Sequence, residues 1–159
     1  MEKNGVDYVN VTNHDITMLF CDKLKKGECS GKTEGDNFSR CCRECDSVGE
    51  IIDIPPCGVV AQATMKEERA FTMSSNGIEF IQTYFKPKRE SEQEIAELED
   101  EYFYVSNARP ILIGSIIAAQ AYPERVFGMV SVPGYERVHP DEKLVRSDKF
   151  ITFKRNKGG

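Results

Sequence analysis

Cysteine is the residue type whose spacing most directly suggests chemistry in this chain. Five of the six cysteines lie close together, at Cys21, Cys29, Cys41, Cys42 and Cys45. Their pattern is C-x7-C-x11-C-C-x2-C, and the short loop of a C-x-x-C pair lets two sulfurs face one ion. Zinc suits four thiolates because it accepts tetrahedral sulfur coordination without redox activity.

The spacing predicts a structural zinc site whose four ligands are Cys21, Cys29, Cys42 and Cys45, although Cys41 could replace Cys42. Four thiolates leave no coordination position open for catalysis. The alternative is a loop of reduced cysteines. Because residues 21–48 contain few large apolar side chains, we expect them to form a cysteine-rich insertion that only a metal or cross-links could order.

A second candidate group lies in residues 10–15, Asn-Val-Thr-Asn-His-Asp. A carboxylate that orients an imidazole creates a general base, so His14 is a candidate for hydrolytic chemistry. Adjacent residues of a strand point to opposite faces, however, which places Asp15 poorly to serve His14. We therefore expect Thr12, Asn13 and Asp15 to hydrogen-bond the backbone of their own turn.

A third group is centred on a turn that we predict to join a strand, residues 102–106, to a helix that begins after Arg109. The free amides at a helix start attract anions. Ser106 and Asn107 would add neutral donors, Arg109 would add a planar fork that matches phosphate, and Tyr104 could stack a base. The alternative is ordinary helix capping, with Arg109 in a surface salt bridge.

The helix that we predict over residues 111–121 is apolar on nearly every face, so it should be buried. Arg125 is a second cation beyond this helix, and it should lie about 20 Å from Arg109 by helix rise. The two arginines could share a pocket only across a subunit interface. Such a pocket would also explain so apolar a helix, and we therefore expect a homo-oligomer.

The remaining segments are short strand-like runs that are separated by turn residues. Asn76-Gly77 is a hairpin signal, and Ser91 with Glu94 is the pattern of a helix N-cap with its capping box. The predicted fold class is α+β, with a mainly antiparallel sheet packed on one buried apolar helix. We expect residues 1–159 to form a single domain that contains the insertion at 21–48.

Composition excludes several classes of protein. The 159 residues include 26 acidic and 21 basic side chains, for a net charge of −5, which argues against binding to a nucleic acid polymer. No stretch of about 18 apolar residues is present, so we expect no membrane partner. The N-terminus lacks an apolar signal core, which favours an intracellular protein. The Walker A and Gly-x-Gly-x-x-Gly signatures of nucleotide enzymes are missing.

Five motifs resemble those of a loose group of small phage and prophage proteins of unassigned function. In this chain they are Val9-Asn10-Val11-Thr12-Asn13-His14-Asp15, Ile54-Pro55-Pro56-Cys57-Gly58, Tyr104-Val105-Ser106, Ala119-Gln120-Ala121 and Val130-Ser131-Val132-Pro133-Gly134. Asn13 replaces a proline of that group. The resemblance implies a phage protein in the cytoplasm of an infected bacterium. Phage proteins of this size include oligomeric sponges that hide nucleotide signals of bacterial immunity.

Three functional hypotheses follow. The first is a non-enzymatic protein that sequesters a phosphorylated small molecule such as a nucleotide immune signal. Its ligand contacts would come from Asn10, Thr12, His14, Tyr104, Ser106, Asn107, Arg109 and Arg125. The second is a zinc-stabilised module for protein–protein interaction, which docks through residues 21–48. The third is a nucleotide hydrolase that uses His14.

Overall fold

The computed structural model describes residues 1–21, 48–72, 75–132, 135, 137, 139 and 143–155. In these residues the chain is a mixed α/β protein that consists mostly of strands. The strands are β1 (Glu2–Lys3), β2 (Val6–Asn10), β3 (Ile16–Cys21), β4 (Val48–Ile54), β5 (Ala63–Thr72), β6 (Glu79–Pro87), β7 (Ile111–Gly114), β8 (Val126–Ser131) and β9 (Val145–Ile151). The helices are α1 (Arg89–Ser106) and α2 (Ile116–Ala121).

Seven of these strands form one sheet in the order β1-β2-β7-β8-β9-β3-β4. The pairs β2–β7, β7–β8 and β9–β3 are parallel, whereas β1–β2, β8–β9 and β3–β4 are antiparallel. The sheet is therefore evenly mixed rather than mainly antiparallel. The difference arises because α2 returns the chain to the start of β7, so that β8 pairs with β7 in the parallel sense of a βαβ unit.

The sheet curls until its first strands meet its last. Lys3 on β1 forms an ion pair with Glu50 on β4. The ring of Tyr8 on β2 lies 5.4 Å from the ring of Phe20 on β3, although three strands separate β2 from β3 in the sheet order. We call the contact between the carboxyl ends of β2 and β4 the seam. It is the point where the curl closes.

The two faces of the curled sheet pack against different apolar clusters, because successive residues of a strand point to opposite sides. Val9 and Leu112 belong to the outer cluster, which also contains buried residues of both helices, among them Ile95, Leu98, Ala118 and Ala121. Tyr8 and Ile113 belong to the inner cluster, together with Ile16, Met18, Ile54 and Val145. Each face is thus covered without a second full layer of helices.

Helix α1 includes residues 102–106, so the strand predicted there is wrong. The buried residues of α1, Ser91, Ile95 and Leu98, recur at helical spacing and give this helix one face toward the core. Once a helix is nucleated, each added residue gains a hydrogen bond, so the β-favouring run at 102–106 continues the helix. Lys88, not Ser91, is the N-cap.

The long apolar helix predicted over residues 111–121 is also wrong. Its first part is the buried parallel strand β7, and only Ile116–Ala121 is helical. A short apolar run that is rich in isoleucine fits a buried parallel strand as well as a helix, and Gly114 with Ser115 separates the two elements. Ser115 caps α2, since its side chain accepts a hydrogen bond from the Ala118 N–H at 3.0 Å.

Strands β5 and β6 form a separate antiparallel hairpin, which we call the arm. The sequence predicts its turn correctly: Gly77 has a φ of 73°, and the Asn76 side chain accepts a hydrogen bond from the Ile78 N–H at 3.0 Å. The arm is joined to the core at its base, where Ala63 and Phe85 pack against the outer cluster.

In the part of the chain that the structure describes, neither α1 nor α2 is both long and apolar enough to cross a membrane. Most of the predicted cysteine-rich insertion at 21–48 lies outside the described residues.

Candidate functional site

The carboxyl ends of the parallel strands β2 and β7 meet at one edge of the sheet. Loops at this edge form the ligand sites of many α/β sheets, because the side chains that follow neighbouring strands converge there. Here the edge holds a cleft of about 180 Å³. Its lining residues come from the loop after β2, the segment before β5, the residue after β7 and strand β8: Val11, Thr12, Asn13, His14, Val60, Ala61, Ser115 and Met129.

A buried amide, that of Asn10, organises the loop that forms one wall of the cleft. Asn10 is only 1% exposed. Its Nδ2 donates to the backbone oxygens of His14 at 2.7 Å and Ile54 at 2.9 Å. Its Oδ1 accepts from the backbone N–H of Thr12 at 2.9 Å and lies 2.6 Å from the Thr12 hydroxyl. One side chain therefore fixes both the loop and the seam.

The backbone on both sides of Asn10 completes this wall. The Cys57 N–H donates to the Asn10 oxygen at 3.0 Å, and the Ala61 N–H donates to the Val11 oxygen at 3.0 Å. The segment before β5 thus continues the sheet for a few residues beside β2. It brings Val60 and Ala61 to the lining of the cleft.

His14 is the ionisable side chain of the cleft, and it is exposed. Its Nδ1 lies 3.1 Å from the backbone oxygen of Asp15, so the ring is oriented by main chain. Thr12 Oγ1 lies 2.9 Å from the His14 oxygen, which is the turn-backbone bonding that the sequence predicts for Thr12. The remaining ring nitrogen, Nε2, is the atom through which His14 can meet a ligand.

Ser115 contributes a hydroxyl on the side of the cleft formed by β7. Its oxygen already accepts the hydrogen bond that caps α2, so its O–H is the group left to donate. Sequence reasoning missed Ser115 because it placed this residue inside a continuous helix. The available signal was Gly114-Ser115 at the end of an isoleucine-rich run, a pattern typical of a strand followed by an N-cap.

The sequence predicts an anion site at residues 106–110, but the free backbone groups there favour a cation. These residues follow the carboxyl end of α1, where free carbonyl groups attract cations rather than anions. Asn107 is the C-cap, with a φ of 53°, and its N–H donates to the Phe103 oxygen at 2.8 Å. Tyr104 is 90% exposed. The helix start on which this prediction depended is absent here.

The polar side chains of this region already have partners within the chain. The Ser106 hydroxyl lies 2.9 Å from the carboxylate of Asp7 and 2.7 Å from the Tyr102 oxygen. Arg109 Nη2 donates to the backbone oxygen of Glu124. This contact shows that the chain returns to Arg109 after α2, so the separation of about 20 Å predicted between the stretches around Arg109 and Arg125 is wrong.

Arg125 does not join Arg109 in a pocket. Its Nη2 lies 2.7 Å from Glu99 Oε1, its Nη1 lies 3.7 Å from Glu92 Oε1, and its guanidinium covers the ring of Tyr122 at 5.8 Å. Arg125 thus fastens α1 to the end of α2. Of the predicted ligand contacts, Thr12 and His14 line the cleft, whereas Asn10 is buried in the wall behind them and does not line it. Tyr104, Ser106, Asn107, Arg109 and Arg125 do not lie there.

The predicted zinc ligands fall mostly outside the described residues. Cys21 ends β3, whereas Cys29, Cys42 and Cys45 belong to the part of the chain that the structure does not describe. In the described ranges, no three histidine, cysteine, aspartate or glutamate side chains are grouped as metal ligands. The zinc site therefore stays a prediction.

Comparison with models of protein families, with curated proteins and with solved structures gave no match to this chain. The functional argument consequently depends on the cleft.

Proposed function

We propose that this protein binds a phosphorylated small molecule, with its phosphate in the cleft between the loop after β2 and Ser115. The observation that carries the proposal is the set of polar groups at this edge. His14, Asn13 and the Ser115 hydroxyl can all donate to phosphate oxygens. The lining residues of the cleft include neither a carboxylate, which would repel an anion, nor a thiol.

The size of the cleft limits what it can hold. Sites for drug-sized ligands usually measure about 300–1,000 Å³, and this cleft measures about 180 Å³. We therefore expect the phosphate, or a phosphorylated sugar, to enter the cleft while the rest of the ligand lies outside it. A nucleotide meets this requirement, as does a smaller sugar phosphate.

We propose binding without turnover. His14 is oriented by a backbone oxygen and not by a carboxylate, so the arrangement lacks the usual partner of a histidine base. For a phage protein of this kind, the biological outcome would be sequestration of a nucleotide immune signal in the bacterial cytoplasm. That part of the proposal is supported by the resemblance to phage proteins.

Isothermal titration with cyclic nucleotides, ADP-ribose derivatives and sugar phosphates tests the proposal. We expect one or more of these compounds to bind, and His14→Ala and Ser115→Ala each to weaken binding at least tenfold. The matched control is His139→Ala, which removes the other histidine of the chain. Arg109→Ala should also leave affinity unchanged, because Arg109 lies at the carboxyl end of α1.

Three outcomes would contradict this proposal. If no compound binds, or if Arg109→Ala weakens binding as much as His14→Ala does, the cleft is not the phosphate site. If a nucleotide is consumed, and His14→Ala abolishes its turnover, the protein is the hydrolase of the third hypothesis.

The zinc-stabilised interaction module is a separate proposal about residues 21–48. Metal analysis of the purified protein tests it, together with a pull-down from host lysate with and without this segment. Stoichiometric zinc that is lost in Cys42→Ser together with Cys45→Ser would support it. A metal-free protein that folds normally would overturn it.

A further inference from the structure

The sequence contains the dipeptide Asn-Gly twice, at residues 4–5 and 76–77. In this dipeptide the backbone nitrogen of glycine can reach the side-chain carbonyl carbon of asparagine, because glycine has no Cβ to obstruct the approach. Both asparagines are exposed, and each lies at the tip of a hairpin. The two turns differ, however, in the hydrogen bonds of the atoms that would react.

At the tip of the arm, the Asn76 side chain bonds the backbone beyond the glycine that follows it. Its Oδ1 accepts a hydrogen bond from the Ile78 N–H at 3.0 Å. This bond closes a ring of atoms that contains both Asn76 Cγ and the Gly77 nitrogen, so these two atoms are kept close together. An attack on Cγ places negative charge on Oδ1, and the Ile78 N–H is already in place to stabilise that charge.

At the turn between β1 and β2, the glycine nitrogen is bonded in a way that opposes the same attack. The Gly5 N–H donates to Glu2 Oε1 at 2.9 Å. The nitrogen must lose this proton to act as a nucleophile, and a carboxylate beside it disfavours the negative charge that would result. The turn is also held in place, because the backbones of Met1 and Tyr8 exchange two hydrogen bonds beside it.

We propose that Asn76 is a site of spontaneous deamidation, with the backbone of its neighbour as the nucleophile, and that Glu2 protects Asn4 from the same reaction. The Gly77 nitrogen loses its proton to water and forms a bond to Asn76 Cγ. The bond from Cγ to Nδ2 then breaks, and the amide leaves as ammonia after it takes up a proton. Water opens the resulting five-membered imide at either carbonyl, which gives aspartate or isoaspartate without oxidation or reduction.

The reaction changes the tip of the arm in two ways. Either product adds a negative charge there, and isoaspartate also adds a carbon atom to the backbone of the turn. The modified chain is therefore separable from the original by ion exchange, and isoaspartate is detected by enzymatic methylation of its α-carboxylate. This proposal is independent of the ligand in the cleft.

Peptide mass mapping of the folded, full-length protein after incubation at physiological pH and temperature tests the proposal. We expect the peptide that contains residue 76 to change from amide to acid at least tenfold faster than the peptide that contains residue 4. In concentrated urea the two rates should differ by less than twofold, because an unfolded chain presents the same dipeptide at both positions. The difference in the folded protein is then a property of the two turns.

Glu2→Ala tests the protection of Asn4. This variant removes the acceptor of the Gly5 N–H, so the rate at residue 4 should rise at least threefold, whereas the rate at residue 76 should stay unchanged. Glu94→Ala is the matched control, since Glu94 is an exposed glutamate on α1, and we expect it to change neither rate. Circular dichroism verifies that both variants are folded.

Three results would overturn the proposal. The first is a folded protein in which Asn76 stays intact through the incubation. The second is conversion of Asn4 as fast as that of Asn76 in the folded chain. The third is a Glu2→Ala variant that leaves the rate at residue 4 unchanged.

Discussion

The seam and the arm place polar and apolar groups in opposite ways. At the seam a polar side chain, Asn10, is 1% exposed and takes part in hydrogen bonds through both atoms of its amide. In the arm an apolar ring, Phe71, is 57% exposed and contacts one other ring across the hairpin. The difference indicates that the seam maintains the fold, whereas the arm leaves apolar side chains exposed.

The largest expected effect is at the seam. Asn10→Ala removes the groups that hold the oxygens of His14 and Ile54, and it leaves buried donors and acceptors unsatisfied. We expect the free energy of unfolding in urea to fall by about 3 kcal/mol, since each such buried group costs about 1–3 kcal/mol. Asn13→Ala is the control, because Asn13 is exposed and its loss should change stability by less than about 0.5 kcal/mol. If Asn13→Ala lowered the free energy of unfolding as much as Asn10→Ala, the buried amide would contribute no more to stability than an exposed one.

Close packing beside the cleft should give the next largest effect. A Cβ atom on Gly114 would lie 2.6 Å from Val126 Cγ1 and 3.2 Å from Ala118 Cβ. We expect Gly114→Ala to lower the free energy of unfolding by about 1–3 kcal/mol through overpacking. Val126→Ala should therefore cost less in the Gly114→Ala background than in the wild type. Additive losses in urea denaturation would show that the two sites do not compete for this space.

A smaller effect is expected where the arm joins the core. The Tyr122 hydroxyl lies 2.9 Å from Ser91 Oγ and 3.0 Å from the Gln62 oxygen, one residue before β5. Tyr122→Phe should lower the free energy of unfolding by about 1 kcal/mol. Tyr104→Phe is the control, since Tyr104 is exposed. If the two variants unfold at the same urea concentration, this junction does not contribute to stability.

Tyr122 also gives a prediction for stability at alkaline pH. Burial raises the pKa of Tyr122 above its ordinary value. The folded state therefore keeps this proton more tightly than the unfolded state does, and stability is lost as the pH rises above about 10, the value for an unfolded tyrosine. Tyr122→Phe should remove part of that loss, so the difference in stability between wild type and variant should shrink between pH 9 and 11.

The smallest effect on unfolding is expected in the arm itself. Phe71→Ala removes a stacked but exposed ring, and we expect a loss of less than about 1 kcal/mol in the free energy of unfolding. A loss comparable with that of Asn10→Ala would mean that the arm is part of the structural core.

Sequence patterns predict two local turns correctly. The hairpin turn at Asn76-Gly77 and the turn bonding of Thr12 both follow from side chains that act on their own neighbours in the chain. Such local patterns do not predict that the sheet is evenly mixed, because residues distant in the sequence determine which strands pair. The bond from Asn10 to Ile54 joins residues that no local pattern connects.

The stretch from residue 102 to 121 shows why the predicted anion site failed. Its apolar and aromatic residues suit strand and helix almost equally, and the tertiary context decides between them. Exchanging the two elements turned a helix end into an apparent helix start. A helix start carries a partial positive charge and a helix end a partial negative one. The predicted anion at Arg109 would therefore lie at the end of a helix that does not attract anions.

The parallel pairing of early strands with late ones has a consequence for synthesis of the protein. Strand β2 cannot pair until β7 has been made, and β3 cannot pair with β9 until residues 145–151 have been made, so the curl closes only after the ribosome has passed β9. Long-range pairings of this kind are intrinsically slow to form. Meanwhile the uncharged stretch from Phe80 to Phe85 has already emerged, so newly made chains expose an aggregation-prone strand before the sheet is complete.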